Sequence, residues 1–384
     1  MVTRSYPMVV RALTLALAAL LPGPRPSLAK PTPPLAAGQV GKPGVATAPN
    51  PPRLRYRAVI LRSPGYYHVM AGASHHGRWV GAGLPVGRHS SSHALLGGPV
   101  AGVIDLNPPG FLWSVAEGTD GKLQVGAGET PQGRGGALLW SGTAASAISL
   151  NPPGFKISQA LSVRHHEEVG FAGESKGKLH AALWTGSAKS FLDLNPKGFV
   201  SSIAAATDGS RQVGFGMLLD KAVHALAWRG SAASAVDINP QSCKSSRAWG
   251  VARGAVVGTG RAAGWAAHHA ILWHGPANNF IDLNPSGFYK STAFATNGTQ
   301  EVGYGTSRSG GSAHALVWSG TPGSAVNLQS ALPRRFNASK AFGITHRGVI
   351  VGIATNSHTG VVVPVEWLPI STHTPGPTTG HKRH

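Results

Sequence analysis

Apolar and polar residues alternate along this chain in short pieces that recur roughly every 44 residues, a rhythm of strands and turns and not of long helices. The valine of a Val-Gly pair falls at Val80, Val125, Val169, Val213, Val257, Val302 and Val351. A second marker, the first residue of a His-Ala-x-x-Trp run, falls at His93, Gly136, His180, His224, His269, His314 and Val363. Each unit breaks into four β-prone pieces. In the fourth these are Phe191–Leu194, Ser202–Ala206, Arg211–Gly216 and His224–Trp228. Asp208-Gly209, like Asp120-Gly121 and Asn297-Gly298, supplies the positive φ of a two-residue hairpin turn between the second and third pieces. Asn195-Pro196-Lys197-Gly198 stops the first piece, because proline cannot donate to a ladder and glycine permits the turn.

Four strands in about 44 residues is the size of a propeller blade, so the expected fold is all-β, a seven-bladed β-propeller over residues 58–370. A β-solenoid is the alternative, and it would need two coils per repeat. Ring closure also removes the sheet edges that would otherwise template aggregation. Trp140, Trp184, Trp228, Trp273, Trp318 and Trp367 are placed to fill the space between adjacent sheets, with Phe111, Phe155, Phe199 and Phe288 beside them. Glycines such as Gly214, Gly216, Gly303 and Gly305 would let strands crowd near the axis, so valine at position 303 should overpack it. Cys243 takes the aromatic position of the fifth unit, which suits an inert buried thiol better than a nucleophile.

The ends differ from the repeats. Arg4 and Arg11, the apolar run 12–21 and the small-residue site Ser27-Leu28-Ala29 read as an export signal, residues 1–29, cleaved near Ala29. That places the mature chain in the periplasm or outside the cell. Residues 30–57 read as a Pro/Gly/Ala-rich linker and 371–384 as a flexible basic tail. The single cysteine excludes an internal disulfide, so packing must hold the fold. Formal charge is +20, of which roughly half belongs to the repeat region, and a basic body of this kind favours anionic partners.

Catalytic signals are thin. Asp105, Asp193, Asp237 and Asp282 share one repeated position and read as caps of the Asn-Pro turn. The repeated histidines read as hydrogen-bonded strand residues. There is no Gly-x-Ser-x-Gly elbow, no phosphate-binding glycine loop and no His-Glu-x-x-His helix, so no cofactor or metal is assigned and an enzyme is disfavoured. His75-His76 and His165-His166 lie near hairpin turns but belong to different units.

His180, Ala181, Leu183 and Trp184, then Asp193-Leu194, then Ser202 and Ala204, then Val213-Gly214 resemble the repeats of the bacterial extracellular HAF family. The resemblance covers residues 58–368 and departs at Gly97, where tryptophan is expected, and at Val363-Pro364, which replaces His-Ala. It implies an exported, propeller-like protein and no particular activity. The expected function is therefore a secreted, monomeric, non-enzymatic binding or scaffold propeller for an anionic or carbohydrate partner such as an acidic polysaccharide, with no specific nucleic acid. Contact would run through Arg88, Arg134, Lys176, Lys178, Arg308, Arg334 and Arg335. The rivals are an extracellular polysaccharide hydrolase or lyase, and a purely structural surface protein.

Overall fold

The computed structural model describes residues 54–370, apart from 76, 88–90, 99–101, 176, 276, 278 and 308–310. The expected signal, most of the linker and the tail lie outside the described residues, as do Arg88, Lys176 and Arg308. Within them the chain forms seven four-stranded antiparallel sheets, the blades of a propeller. Blades 1 to 6 span 66–105, 113–149, 157–193, 199–237, 243–282 and 288–327, each running in order from its innermost to its outermost strand.

Blade 7 is built differently. Its three inner strands come from 336–370, and its outer strand is Arg55–Ile60, paired with the last strand from Arg55↔Ile370 to Ile60↔Val365. The two ends of the chain thus close the ring, and strand already begins inside what reads as linker. The phase of the repeat shifts with it. The Leu192-Asp193 piece at the head of the fourth sequence unit is the outer strand of blade 3, not part of blade 4.

Adjacent blades are joined by a repeated polar seam. The backbone N–H of Ala94, Ala137, Ala181, Ala225, Ala270 and Ala315 donates to the hydroxyl of Ser114, Ser158, Ser202, Ser246, Ser291 and Ser339 in the next blade, at 2.9–3.1 Å. Each hydroxyl donates onward at 2.5–2.7 Å to Asn107, Asn151, Asn195, Asn239 or Asn284, or, in blade 7, to Gln329. The seam groups are thereby satisfied, each bond contributing about 1 kcal/mol net, whereas the buried indole N–H groups of Trp140, Trp184 and Trp318 find no acceptor among the described residues. At the blade 7–blade 1 seam, Pro364 replaces the alanine and Val69 the serine. Proline has no N–H to give, so no hydroxyl is needed to receive it.

The tryptophans close the apolar part of each seam. Trp184 packs on Val125, Leu139 and Leu150 of blade 2, and Trp228 and Trp273 donate to the carbonyls of Leu194 and Ile238 in the preceding blade at 2.8 and 2.9 Å. Blade 1 lacks its tryptophan at Gly97, but Trp79 on the paired strand fills the gap. A Cβ at Gly97 would collide with the Trp79 ring, and that ring reaches Val351 of blade 7.

The repeated aspartates do cap the Asn-Pro turn. Oδ1 of Asp105, Asp193, Asp237 and Asp282 accepts the N–H two residues on at 2.7–2.8 Å. Oδ2 meets Nδ1 of His93, His180, His224 and His269 at 2.7–2.9 Å. The Asp-Gly turns differ from expectation. Thr119 pairs with Gln124, so the loop holds four residues, with Asp120 accepting the N–H groups of Lys122 and Leu123. True two-residue turns occur at His165-His166 and Arg253-Gly254, all four at positive φ.

Candidate functional site in the axial channel

Each innermost strand carries a β-bulge at the same register, and those of blades 1, 4, 5, 6 and 7 have a second irregularity near their start. The extra residue is Gly72, Glu117, Leu161, Ala205, Trp249, Phe294 or Phe342, from blade 1 to blade 7. A bulge re-aims a side chain that regular pairing would bury between sheets. All seven line a cavity of about 220 Å³ on the propeller axis. The bulge also pushes backbone towards the second strand. A Cβ on the facing glycine of each Val-Gly pair, such as Gly126 or Gly303, would strike the carbonyl of Val115 or Thr292.

The ring of seven is chemically lopsided. Trp249, Phe294 and Phe342 form one wall, with centroids 6.2 Å and 5.3 Å apart. Phe215 backs Trp249 at 5.0 Å, edge to face. Across from them stands Glu117, the only carboxylate in the lining, which accepts a hydrogen bond from Gln159 Nε2 at 2.8 Å. Burial pushes the Glu117 carboxyl up to about 7, the Gln159 bond offsetting part of that rise. Thr119, Ser162, Thr207 and Thr296 add hydroxyls towards the hairpin end of the cavity.

One layer towards the other end of the ring, two residues before the bulges, lie Arg247 and Lys340. The Arg247 guanidinium sits 5.5 Å over the Phe215 ring and the Lys340 ammonium 4.8 Å over Tyr304. Burial pushes both below their ordinary values, and the Lys290 charge lowers Lys340 further. His268, whose backbone carbonyl accepts the Ser291 N–H at 3.1 Å, is pushed down to about 4 by burial and by Arg247, Arg261, His269 and Lys290. Neither Arg247 nor Lys340 meets a carboxylate among the described residues.

The basic residues expected to make contact stand elsewhere. Arg134 and Lys178 are exposed in hairpins of blades 2 and 3, and Arg334 and Arg335 are exposed before the inner strand of blade 7. Arg335 lies 5.0 Å over Phe336. None of the four lines the axial cavity. The missed residues do have a signature: they are the two variable positions of Ser-x-Ala-x, where Ser and Ala recur and the others change from blade to blade.

No family model matches the chain, and no curated protein sequence does, so the HAF resemblance rests on the repeat residues alone. Solved structures do match. Puromycin hydrolase superposes with a TM-score of 0.56 at 12% identity, covering 79% of this chain and 52% of that one. A prolyl endopeptidase matches at 0.52 and 12%, over 76% and 45%. The propeller domain of the Trilobed protease from Pyrococcus furiosus, described as an open velcro, matches at 0.52 and 9%, over 80% and 99%. These likenesses are of fold, and the chain spans about half the length of the first two proteins. The expectation of a polyanion- or carbohydrate-binding scaffold is corrected accordingly: the matching propellers are those of a puromycin hydrolase, a prolyl endopeptidase and the Trilobed protease, and at 9–12% identity they carry the fold alone to this chain. The described members of the expected contact set, Arg134, Lys178, Arg334 and Arg335, are spread over blades 2, 3 and 7.

Proposed function

We propose that this propeller is a peptide-handling module whose axial cavity receives the end of a short or unfolded peptide. The observation that carries the reading is the lopsided ring: an aromatic wall of Trp249, Phe294 and Phe342 facing the Glu117–Gln159 pair. An aromatic wall takes up an apolar side chain, while a carboxyl and a carboxamide match the N–H and C=O of a backbone. A cavity of about 220 Å³ holds one or two residues and excludes a folded partner or a polymer strand. The peptidase propellers of the same fold support the choice of peptide over other small molecules. Export to the periplasm or beyond, read from residues 1–29, would put such a module among extracellular peptides.

Calorimetric titration of the full chain with peptides of two to four residues ending in Phe or Leu tests this. Binding with a Kd below about 1 mM, weakened about tenfold in both Trp249→Ala and Phe342→Ala, is expected. Absence of binding to every such peptide, or affinity unchanged in both variants, would overturn it.

A further inference from the structure

We infer that the axial cavity takes a peptide by its amino terminus, the terminal ammonium on the Glu117 carboxylate and the first side chain on the wall of Trp249, Phe294 and Phe342. This deepens the peptide reading and rests on it. The charge of the lining chooses between the two ends of a peptide. The chain carries 34 Lys and Arg residues against 14 Asp and Glu, yet the one ionisable side chain among the described lining residues is an acid. No Lys, Arg or His stands among them, so an entering carboxylate would meet Glu117 and no cation. An ammonium would meet a carboxylate on one side and the electron-rich faces of aromatic rings on the other.

The fold presents Glu117 and leaves it unanswered. It is the bulged residue of the inner strand of blade 2, Trp113–Thr119, and it opens on the cavity. The other six bulge positions hold glycine, alanine, leucine, tryptophan or phenylalanine, so the geometry of the ring does not require a carboxyl. Gln159, on the inner strand of blade 3, donates to Oε1 at 2.8 Å and is the one hydrogen-bond partner of Glu117 among the described residues. That bond steadies the group and leaves Oε2 for a ligand. Burial raises the Glu117 carboxyl, and no neighbouring cation offsets the rise. A carboxylate so enclosed is unfavourable until a counter-charge reaches it, and an ammonium supplies that charge with three N–H donors.

The placement of the two walls suits a terminal residue. Glu117 comes from blade 2 and the aromatics from blades 5, 6 and 7, all lining the same cavity of about 220 Å³. In an N-terminal residue the ammonium and the side chain leave one carbon, so a single residue can put one on each side. Acetylation removes the positive charge, leaves one N–H, and sets a carbonyl oxygen beside Glu117, so an acetylated peptide should be rejected.

The test titrates three peptides into the full chain by calorimetry: Phe-Ala-Leu, N-acetyl-Phe-Ala-Leu, and N-acetyl-Lys-Phe-Leu, whose only ammonium is on a side chain. Expected is at least tenfold tighter binding of Phe-Ala-Leu than of either acetylated peptide. That preference should vanish in Glu117→Gln, with the affinity for N-acetyl-Phe-Ala-Leu unchanged within about twofold and folding checked by circular dichroism and melting. Free and acetylated forms binding alike, both weakened by Trp249→Ala, would overturn the ammonium site and leave the peptide reading standing. A preference that survives in Glu117→Gln overturns the assignment to this residue. Equal weakening of both forms in Glu117→Gln would make the residue structural and overturn its role in recognition. Binding of the Lys peptide as tight as that of Phe-Ala-Leu overturns the terminal amine as the ligand. No binding of any form removes this inference together with the peptide reading.

Discussion

The seams between blades and the ring around the axis are built from the same four residues, Ser-x-Ala-x, yet they obey opposite rules. Ser202 and Ala204 belong to the seam, where serine receives an N–H from blade 3 and passes a hydrogen bond to Asn195. Ala205 belongs to the axis, while Ile203 is buried with Phe171, Leu179 and Phe215. The seam repeats its chemistry in six places with bond lengths that agree within 0.2 Å. The ring repeats only its geometry: a bulge at one shared register in every blade, holding glycine, glutamate, leucine, alanine, tryptophan or phenylalanine. A seven-fold scaffold needs identical joints. A ligand site needs asymmetry, because a bound molecule has no seven-fold axis of its own. The contrast therefore separates what holds the molecule together from what it can do.

The largest test of the scaffold half removes the strand that closes it. Starting the chain at residue 61 deletes Arg55–Ile60, leaves the last strand of blade 7 as a bare edge, and takes Tyr56 from the core. Expected is loss of a single cooperative melting transition, read by calorimetry, with aggregation on heating. A truncated chain that melts like its parent would show that the seams alone hold the ring.

A finer test sets a close contact between strands of one blade beside an open position on the axis. Valine at Gly303 would drive its side chain into the backbone carbonyl of Thr292, which no rotamer can relieve. The cost should be about 3 kcal/mol or more, a fall in melting temperature of roughly 5–10 °C. Valine at Ala205 adds the same kind of bulk where it faces the open cavity. That variant should change stability by no more than about 0.5 kcal/mol. If the two variants melt alike, the close approach of Thr292 is not what requires glycine at position 303.

The seam half of this division was legible in the sequence and the ring half was not. Repetition exposed the blades, the tryptophans, the glycines and the aspartate caps, because the same physical need recurs at the same register. Even the departures turn out to be matched. Gly97 makes room for Trp79, and Pro364 goes with Val69, pairs that only a view across strands or across the closing seam reveals. The reading of Asp120-Gly121 as a two-residue turn erred because the aspartate side chain caps a wider loop. The ring stayed hidden for the reason that makes it informative. Glu117, Trp249 and Phe342 carry no shared residue type, and the bulge that turns them inward is a feature of pairing, not of composition. The exposed basic positions Arg134, Lys178, Arg334 and Arg335 lie outside the lining of the axial cavity.

The smallest effect bears directly on the ring. Glu117 titrates near 7 in the fold, against about 4.3 in an unfolded chain, so the folded state prefers the proton. Its favourable contribution is complete below about pH 4.3 and is lost as pH rises through 7. Above that, an ionised carboxylate remains in the cavity with one amide donor, Gln159, to receive it. Glu117→Gln keeps the shape and removes the charge, so the variant should match its parent at pH 4 and be the more stable by about 2 kcal/mol at pH 8. Glu168, also pushed up to about 7 by burial, titrates over the same range, so the quantity to read is the difference between variant and parent. A difference that grows with pH places an isolated carboxyl on the axis, poised between its two charge states near neutrality. A flat difference would mean that water in the cavity solvates Glu117 as well as bulk solvent does. The polar side of the ring would then be open to exchange, and the aromatic wall would be left to define the site.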